Sequence, residues 1–423
     1  MDSASDQRRP RKCTAHVATA AAISLAALTA CNGGSAGSGM DGETVIMHTW
    51  VGGDADREQW GAYVEAGNQA DSSVDVSFSG PAIGNYYTAL PTVLQGSNAP
   101  CIVTLQNGQV SPYIEGLEPL EDLAADVGLD LNEYNEAMLE QLSVDGEVYA
   151  IPYGAEPNLI FYNRGMFEEA GVPEPTLGWT TEEFLEAAEA LTGDGQYGYA
   201  IGPGLFHPTY WMAANGEADW VQDGVGDLTD ENLIERIQFK IDLATEHEVA
   251  RPLEADAGGT FPHIDAFSNG QAAMMMNGTW DLQHQQDQIG EENLGITSIP
   301  SDDGVARGAI AGTGFAVTQN CSDQEAAMNA IAAMTSLEAQ EEVGRTRGNV
   351  PSREAALEAW GADEAEEIVE VVREVTTNGV ASEIPHNINE LNTGFSQYIV
   401  EAYAGRSSVE DVLQLIAADD DQS

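Results

Sequence analysis

Lysine is almost missing from this chain. Only Lys12 and Lys240 occur in 423 residues, and arginine brings the basic total to 15 against 70 aspartates and glutamates, a net charge of −55. A nucleic-acid backbone is held by clustered lysine and arginine, so that class of partner is excluded. An anion held by charge alone is disfavoured for the same reason. Such a surface repels its own copies, which fits a monomer and suits a salty medium. Reactive-site signatures are missing too: there is no GxxxxGK[ST], HExxH, GxSxG or CxxC. His207, His263, His284 and His386 are scattered and read as lone polar groups rather than metal ligands. The stretch 219–230 has an EF-hand flavour through Asp219, Asp223 and Gly224, but Val221 and Asp230 break the ligand pattern, so the match is partial. Carboxylates are so abundant that any pair could be named a hydrolase's acid and base, which empties that signal of information. The chain is expected to need neither cofactor nor metal.

What is present begins with an export signal. Arg8, Arg9, Arg11 and Lys12 precede the apolar run 15–30, which is too short for a comfortable membrane span and ends in small residues. The Arg8-Arg9 pair hints at twin-arginine export, although the residues after it fit poorly. Leu28-Thr29-Ala30-Cys31 resembles the lipobox of bacterial lipoproteins, which implies lipid on Cys31; an ordinary secretory signal with an incidental cysteine is the alternative. The Gly/Ser tether that follows, within 31–39, favours the anchor. Removing residues 1–30 leaves 11 basic and 68 acidic residues, a net of −57. Cys101 and Cys321 then remain as an even pair in an oxidising compartment. We predict a disulfide between them, with two buried thiols as the alternative.

Strands alternate with helices. Buried runs at 44–50, 74–80, 100–108 and 314–320 read as strands, and 56–69, 86–96, 179–193, 228–248, 322–343 and 409–418 as helices. Thr180 with Glu183, and Ser322 with Glu325, make capping boxes, and Gly193 is a plausible C-cap. This alternation predicts an α/β fold with a mostly parallel sheet. Within it, Ala272-Ala273-Met274-Met275-Met276 reads as a strand covered on both faces, Asn277-Gly278 as a turn, and Trp280 with Asp281 as residues just past a strand end, where open α/β sheets hold ligands. Core filling is the bland alternative for Trp280. Trp50, Trp211 and Trp220 also fall at strand ends or in loops, with Tyr153, Phe206 and Tyr210 nearby. A flat ring covers a sugar's C–H face while carboxylates and amides take its hydroxyl rim, an arrangement that needs no net charge.

Three segments carry a resemblance to a known family. They are 145–192, 266–282 with its "AFSNGQAAMMMNGTWDL", and 308–353. Behind the lipobox, they resemble family 1 extracellular solute-binding proteins, the carbohydrate-binding components of ABC importers. The resemblance implies a periplasmic binding protein-like type II fold, with two α/β lobes joined by a hinge that the chain crosses near 155–158, 309–312 and 350–355. Lobe one would hold 40–155 and 310–352, and lobe two 156–309 and 353–423. The strands at 101–105 and 314–320 would be antiparallel neighbours, which supports the Cys101–Cys321 pairing. The implied ligand set is Trp50, Gln106, Tyr153, Glu156, Tyr210, Trp211, Trp280, Asp281, Gly312 and Thr313. The implied partners are a small neutral sugar, permease subunits of an importer and the membrane reached through Cys31. Glycerol phosphate or a phosphodiester is the alternative ligand, with Arg164, Arg251, Arg307 and Arg353 as its few possible anchors. A secreted glycoside hydrolase is a distant alternative.

Overall fold

The computed structural model describes residues 44–420 apart from 52–53, 72, 74, 97–98, 107, 218–219, 223, 254–261, 348–349, 362–363, 382–383 and 386. The export signal, Cys31 and the tether lie outside the described residues, as do Asp219, Asp223 and His386.

The ten strands of the main sheet, in chain order, are β1 (Val45–His48), β2 (Val76–Ser79), β3 (Ile102–Gln106), β4 (Ile151–Asn163), β5 (Tyr197–Ala200), β6 (Ala272–Gly278), β7 (Leu294–Thr297), β8 (Ala309–Val317), β9 (Val350–Pro351) and β10 (Val380–Ala381). The helices used below are α1 (Asp54–Ala70), α2 (Ile83–Leu94), α3 (Thr181–Leu191), α4 (Phe206–Ala214), α5 (Glu231–Thr245), α6 (Pro262–Ser268), α7 (Gln324–Met334), α8 (Leu337–Arg347), α9 (Ile388–Tyr403) and α10 (Val409–Asp420).

One strand, β4, serves two sets of partners. Its first half, through Pro157, pairs antiparallel with β8, which in turn pairs antiparallel with β3. Its second half, from Asn158, pairs antiparallel with β6 and β7. β1 lies between β2 and β3, parallel to both, and β5 lies parallel to β6 on the far side. The sheet is therefore mixed rather than mostly parallel, because β4 and β8 run against their neighbours. β8 also starts at Ala309, five residues before the strand read from sequence: Ala309, Ala311 and Gly312 have little β-propensity of their own, and the opening is held by pairing.

Both faces of the β4–β6 pair are covered. Ile160, Tyr162, Met274 and Met276 join Phe184, Tyr199 and Trp211 in one core, while Leu159, Phe161 and Met275 join Ile296 and Val372 in another. The period-two alternation of a strand thus sends the methionine run to opposite faces, each of which is dry. Asn277 and Gly278 do not turn the chain. They stay in the strand opposite Leu159 and Asn158, and the break comes as a short 3-10 turn at Thr279–Asp281.

The capping box at Thr180 and Glu183 is formed, but α3 ends with Thr192, not Gly193, as its C-cap. The helix expected over 322–343 is two helices. Asp323, rather than Ser322, caps α7, and Ser336 accepts the Ala339 amide at 3.2 Å to start α8. Cys101 and Cys321 form a disulfide that ties the start of β3 to the residues after β8, with Cα atoms 4.5 Å apart.

Candidate functional site

Two sets of strand ends face each other across the middle of β4. The parallel strands β1, β2 and β3 end on one side, where Gln106 pairs with Thr313 and Thr313 with Gly154. β5 and β6 end on the other side, where Gly278 pairs with Asn158. From Gly154 to Asn158 is four residues, a span of about 13 Å along a strand. The two sets of strand ends are thus offset along β4, where the loops after parallel strands converge.

Among the described residues, Phe206 and Trp280 are the two exposed aromatic side chains, at 37% and 51%. Trp280 stands two residues past β6, and Phe206 six residues past β5, the strand beside it. The Trp280 ring lies against bare backbone: a Cβ on Gly278 would fall 2.5 Å from its Cδ1 and Nε1. Phe206 stacks on half-buried Tyr210 one helical turn along α4, with ring centroids 5.9 Å apart. Across the middle of β4, half-buried Trp50 follows β1 and rests edge-on against Trp60 at 5.1 Å and Tyr86 at 5.6 Å. Half-buried Gln106 accepts the Tyr87 hydroxyl through Oε1 at 3.3 Å. Ile83 adds an exposed apolar side chain at the start of α2, four residues past β2.

Several expected residues do other work. Tyr153 is 1% exposed and packs on Tyr63 and Phe315, both at 4.9 Å, so it fills core. Trp211 is equally buried, held among Phe184, His207 and Phe239 at 5.0 to 5.9 Å. The Asp281 carboxylate is buried and accepts the side-chain amides of Asn277 and Gln285, each at 2.8 Å. Burial raises its pKa, and the two amides partly offset this. It locks the turn that carries Trp280 rather than reaching for a guest. The Gly312 amide donates to Gln141 Oε1 at 2.9 Å, and a Cβ there would fall 3.2 Å from that oxygen, so the glycine admits Gln141. Thr313 is buried in β8. Glu156 pairs through its backbone with Ala311, and its side chain lies outside the described residues.

Away from the strand ends, a groove of about 490 Å³ runs between α1 and α8, lined by Glu58, Glu65 and Glu342 over small residues. Among the described residues no group of three or more His, Cys, Asp or Glu side chains is placed to hold a metal ion.

The model of the bacterial extracellular solute-binding protein family matches residues 62–370. The chain belongs to that family. This solute-binding protein is 24% identical to an arabinooligosaccharide-binding protein of Halalkalibacterium halodurans over 323 residues, covering 70% of this chain and 71% of the relative. It is also 24% identical to the diacetylchitobiose binding protein DasA of Streptomyces coelicolor over 354 residues, 78% of this chain and 80% of that one. Among solved structures it resembles the ABC substrate-binding protein Lmo0181 of Listeria monocytogenes, in complex with cycloalternan, with a TM-score of 0.76 at 20% identity over 90% of this chain and 98% of the other. These relatives are binding proteins, not enzymes. The fold of this solute-binding protein is thus the two-lobed α/β architecture of the periplasmic binding proteins, with β4 shared between its sheets.

Phe206 reads from sequence as a member of the aromatic group but not as one of the implied ligand residues. The resemblance drew attention to Tyr210 and Trp211, which are adjacent on a helix and so point about 100° apart. Helical spacing pairs Phe206 with Tyr210 and His207 with Trp211, and only the first pair is accessible.

Proposed function

We propose that this protein is a receptor outside the cytoplasm, tethered through lipid on Cys31, that captures a neutral sugar and hands it unchanged to the permease of an ABC importer. Lobe one comprises 40–155 and 310–352, lobe two 156–309 and 353–423, and they close on the sugar by bending where β4, β8 and the 350–355 segment cross. Trp280 and the Phe206–Tyr210 pair cover sugar faces from one side. Trp50 and Gln106 approach from the other.

One observation carries the reading: among the described residues, the two exposed aromatic side chains lie past the ends of neighbouring strands, towards the facing set of strand ends. The names of the relatives point the same way, since each names an oligosaccharide. A phosphate ligand finds less support. Arg164 is paired with Glu174 and Glu367, Arg307 with Asp303, and Arg353 with Glu133, so three of its four anchors are already neutralised.

A thermal-shift panel tests this. Maltose, cellobiose, arabinobiose, diacetylchitobiose and the corresponding monosaccharides are compared with glycerol phosphate and sugar phosphates. A rise of several degrees with a neutral sugar, and no released product on chromatography, is expected. A shift confined to phosphorylated compounds overturns the sugar reading, and turnover of the bound sugar overturns the receptor.

A further inference from the structure

Lys240, alone of its kind beyond residue 12, is fully buried. Its Nζ donates to the Gly204 carbonyl at 2.7 Å and lies 5.1 Å from the centre of the Phe395 ring on α9. Among the described residues no carboxylate pairs with it. The same peptide is fastened at its other end as well, because the Leu205 amide donates to Asn392 Oδ1, also on α9, at 2.8 Å. Gly204 stands at φ +73°, and a Cβ there would fall 2.6 Å from that same oxygen, so the turn admits only glycine. Leu205 immediately precedes Phe206. The turn that aims the Phe206–Tyr210 pair is therefore held at both polar atoms of one peptide group, the Gly204–Leu205 peptide, by side chains from two helices behind it.

Two histidines that are far apart in sequence gather at the same lysine. His207 of α4 is buried with its Nε2 2.5 Å from the Tyr199 hydroxyl, and His263 of α6 is buried beside it. Burial and the neighbouring Lys240 lower the pKa of both, His263 to about 4, so neither carries charge at pH 7. Arg236, one turn earlier on α5, is committed to Glu217 and Asp302. The faces that α9 and α10 bring to this core carry no charge: Phe395, Ile399, Val412 and Leu413 are apolar, Asn392 is a neutral amide, and burial raises the pKa of the Tyr403 hydroxyl. Lys240 is thus the one group of this cluster that titrates near neutrality, since burial pulls it down to about 7.

We propose that Lys240 is a positioning residue for sugar capture: its ammonium on the Gly204 carbonyl fixes the turn that aims the Phe206–Tyr210 pair, so that affinity falls when this proton leaves. A charge-assisted hydrogen bond is about twice as strong as a neutral one, and the free amine holds the turn more loosely. Burying the ammonium without a counter-ion has the opposite effect on the fold as a whole. Below about pH 7 the lysine is charged in both the folded and unfolded chain, and the full penalty of burial applies. Between there and its ordinary value of 10.5 the unfolded chain binds the extra proton, so stability rises with pH. Stability and affinity therefore move in opposite directions, which a residue that merely packs would not produce.

The inference rests on the receptor reading and is tested with whichever neutral disaccharide of the panel shifts the melt. Titration calorimetry and thermal melts of the protein are run at pH 6, 7, 8 and 9. We expect Kd to rise roughly fivefold from pH 6 to 9 while the melting temperature rises. Lys240→Met keeps the stem and removes the charge. It is expected to bind roughly fivefold more weakly at pH 6, with a flat pH profile and a higher melting temperature. A wild-type Kd that does not change with pH overturns the role of Lys240 and leaves the receptor intact, whereas no binding of any neutral sugar at any pH overturns both.

Discussion

The Trp280 ring lies directly over the α-carbon of Gly278, so close that a methyl group on that carbon would fall 2.5 Å from the indole. The backbone at Gly278 is ordinary strand, with φ −85° and ψ 161°, and alanine could adopt it. Gly278→Ala therefore displaces the ring without straining the chain. We expect at least a tenfold loss of sugar affinity in calorimetry, about 1.4 kcal/mol, with a cooperative melt retained. Unchanged affinity would mean that the ring's present position is irrelevant to binding.

Phe206 and Trp211 separate packing from capture. Trp211 is enclosed by Phe184, His207 and Phe239, and Trp211→Ala should cost about 3–5 kcal/mol of stability, read as a lowered denaturation midpoint. Phe206→Ala removes a ring that is already 37% exposed, and should weaken sugar binding far more than it changes the midpoint. The reverse pattern would exchange their assigned roles.

The methionine strand, the Thr180 capping box and the α/β alternation were legible because each is a local pattern: two-sided apolar runs, a side chain reaching its own helix, periods of 2 and 3.6. The opening of β8 was not, since Ala309–Gly312 is strand only through what β4 and β10 offer it. Nor was the break at Thr335, where apolar spacing runs on across two helices. The place of Trp280 just past a buried strand was readable from sequence. The burial of Tyr153 and Trp211, the capture of Asp281 by Asn277 and Gln285, and the filling of the Gly312 niche by Gln141 all depend on tertiary neighbours. A family likeness marks the segment that lines a site, and the helix face decides which of its rings is free.

The Cys101–Cys321 bond joins residues 220 apart in sequence. Closing so long a loop restricts the unfolded chain, and its removal should cost about 4 kcal/mol. A melt under a thiol reductant, or of Cys101→Ala with Cys321→Ala, should shift clearly downward. An unchanged melt would show that the strands hold their register without it.

Salt should stabilise this protein. Its carboxylates far outnumber its cations, and arginines such as Arg164, Arg236 and Arg353 are already paired. Raising ionic strength from 0.1 M to 1 M shortens the screening length from about 10 Å to about 3 Å and relieves self-repulsion. Melting temperature is expected to climb with sodium and with potassium chloride alike. A fall would show that the ion pairs outweigh the repulsion.

The central claim is that accessible rings at facing strand ends hold a neutral guest, and Trp280 fluorescence tests it most directly. Titrating the protein with the panel of neutral sugars should give saturable quenching or enhancement with at least one of them. Trp280→Ala, whose ring is half exposed and bears little packing, should melt within about 0.5 kcal/mol of the parent and lose that binding in calorimetry. A Trp280→Ala protein that binds the same sugar with the parent's affinity would contradict the account.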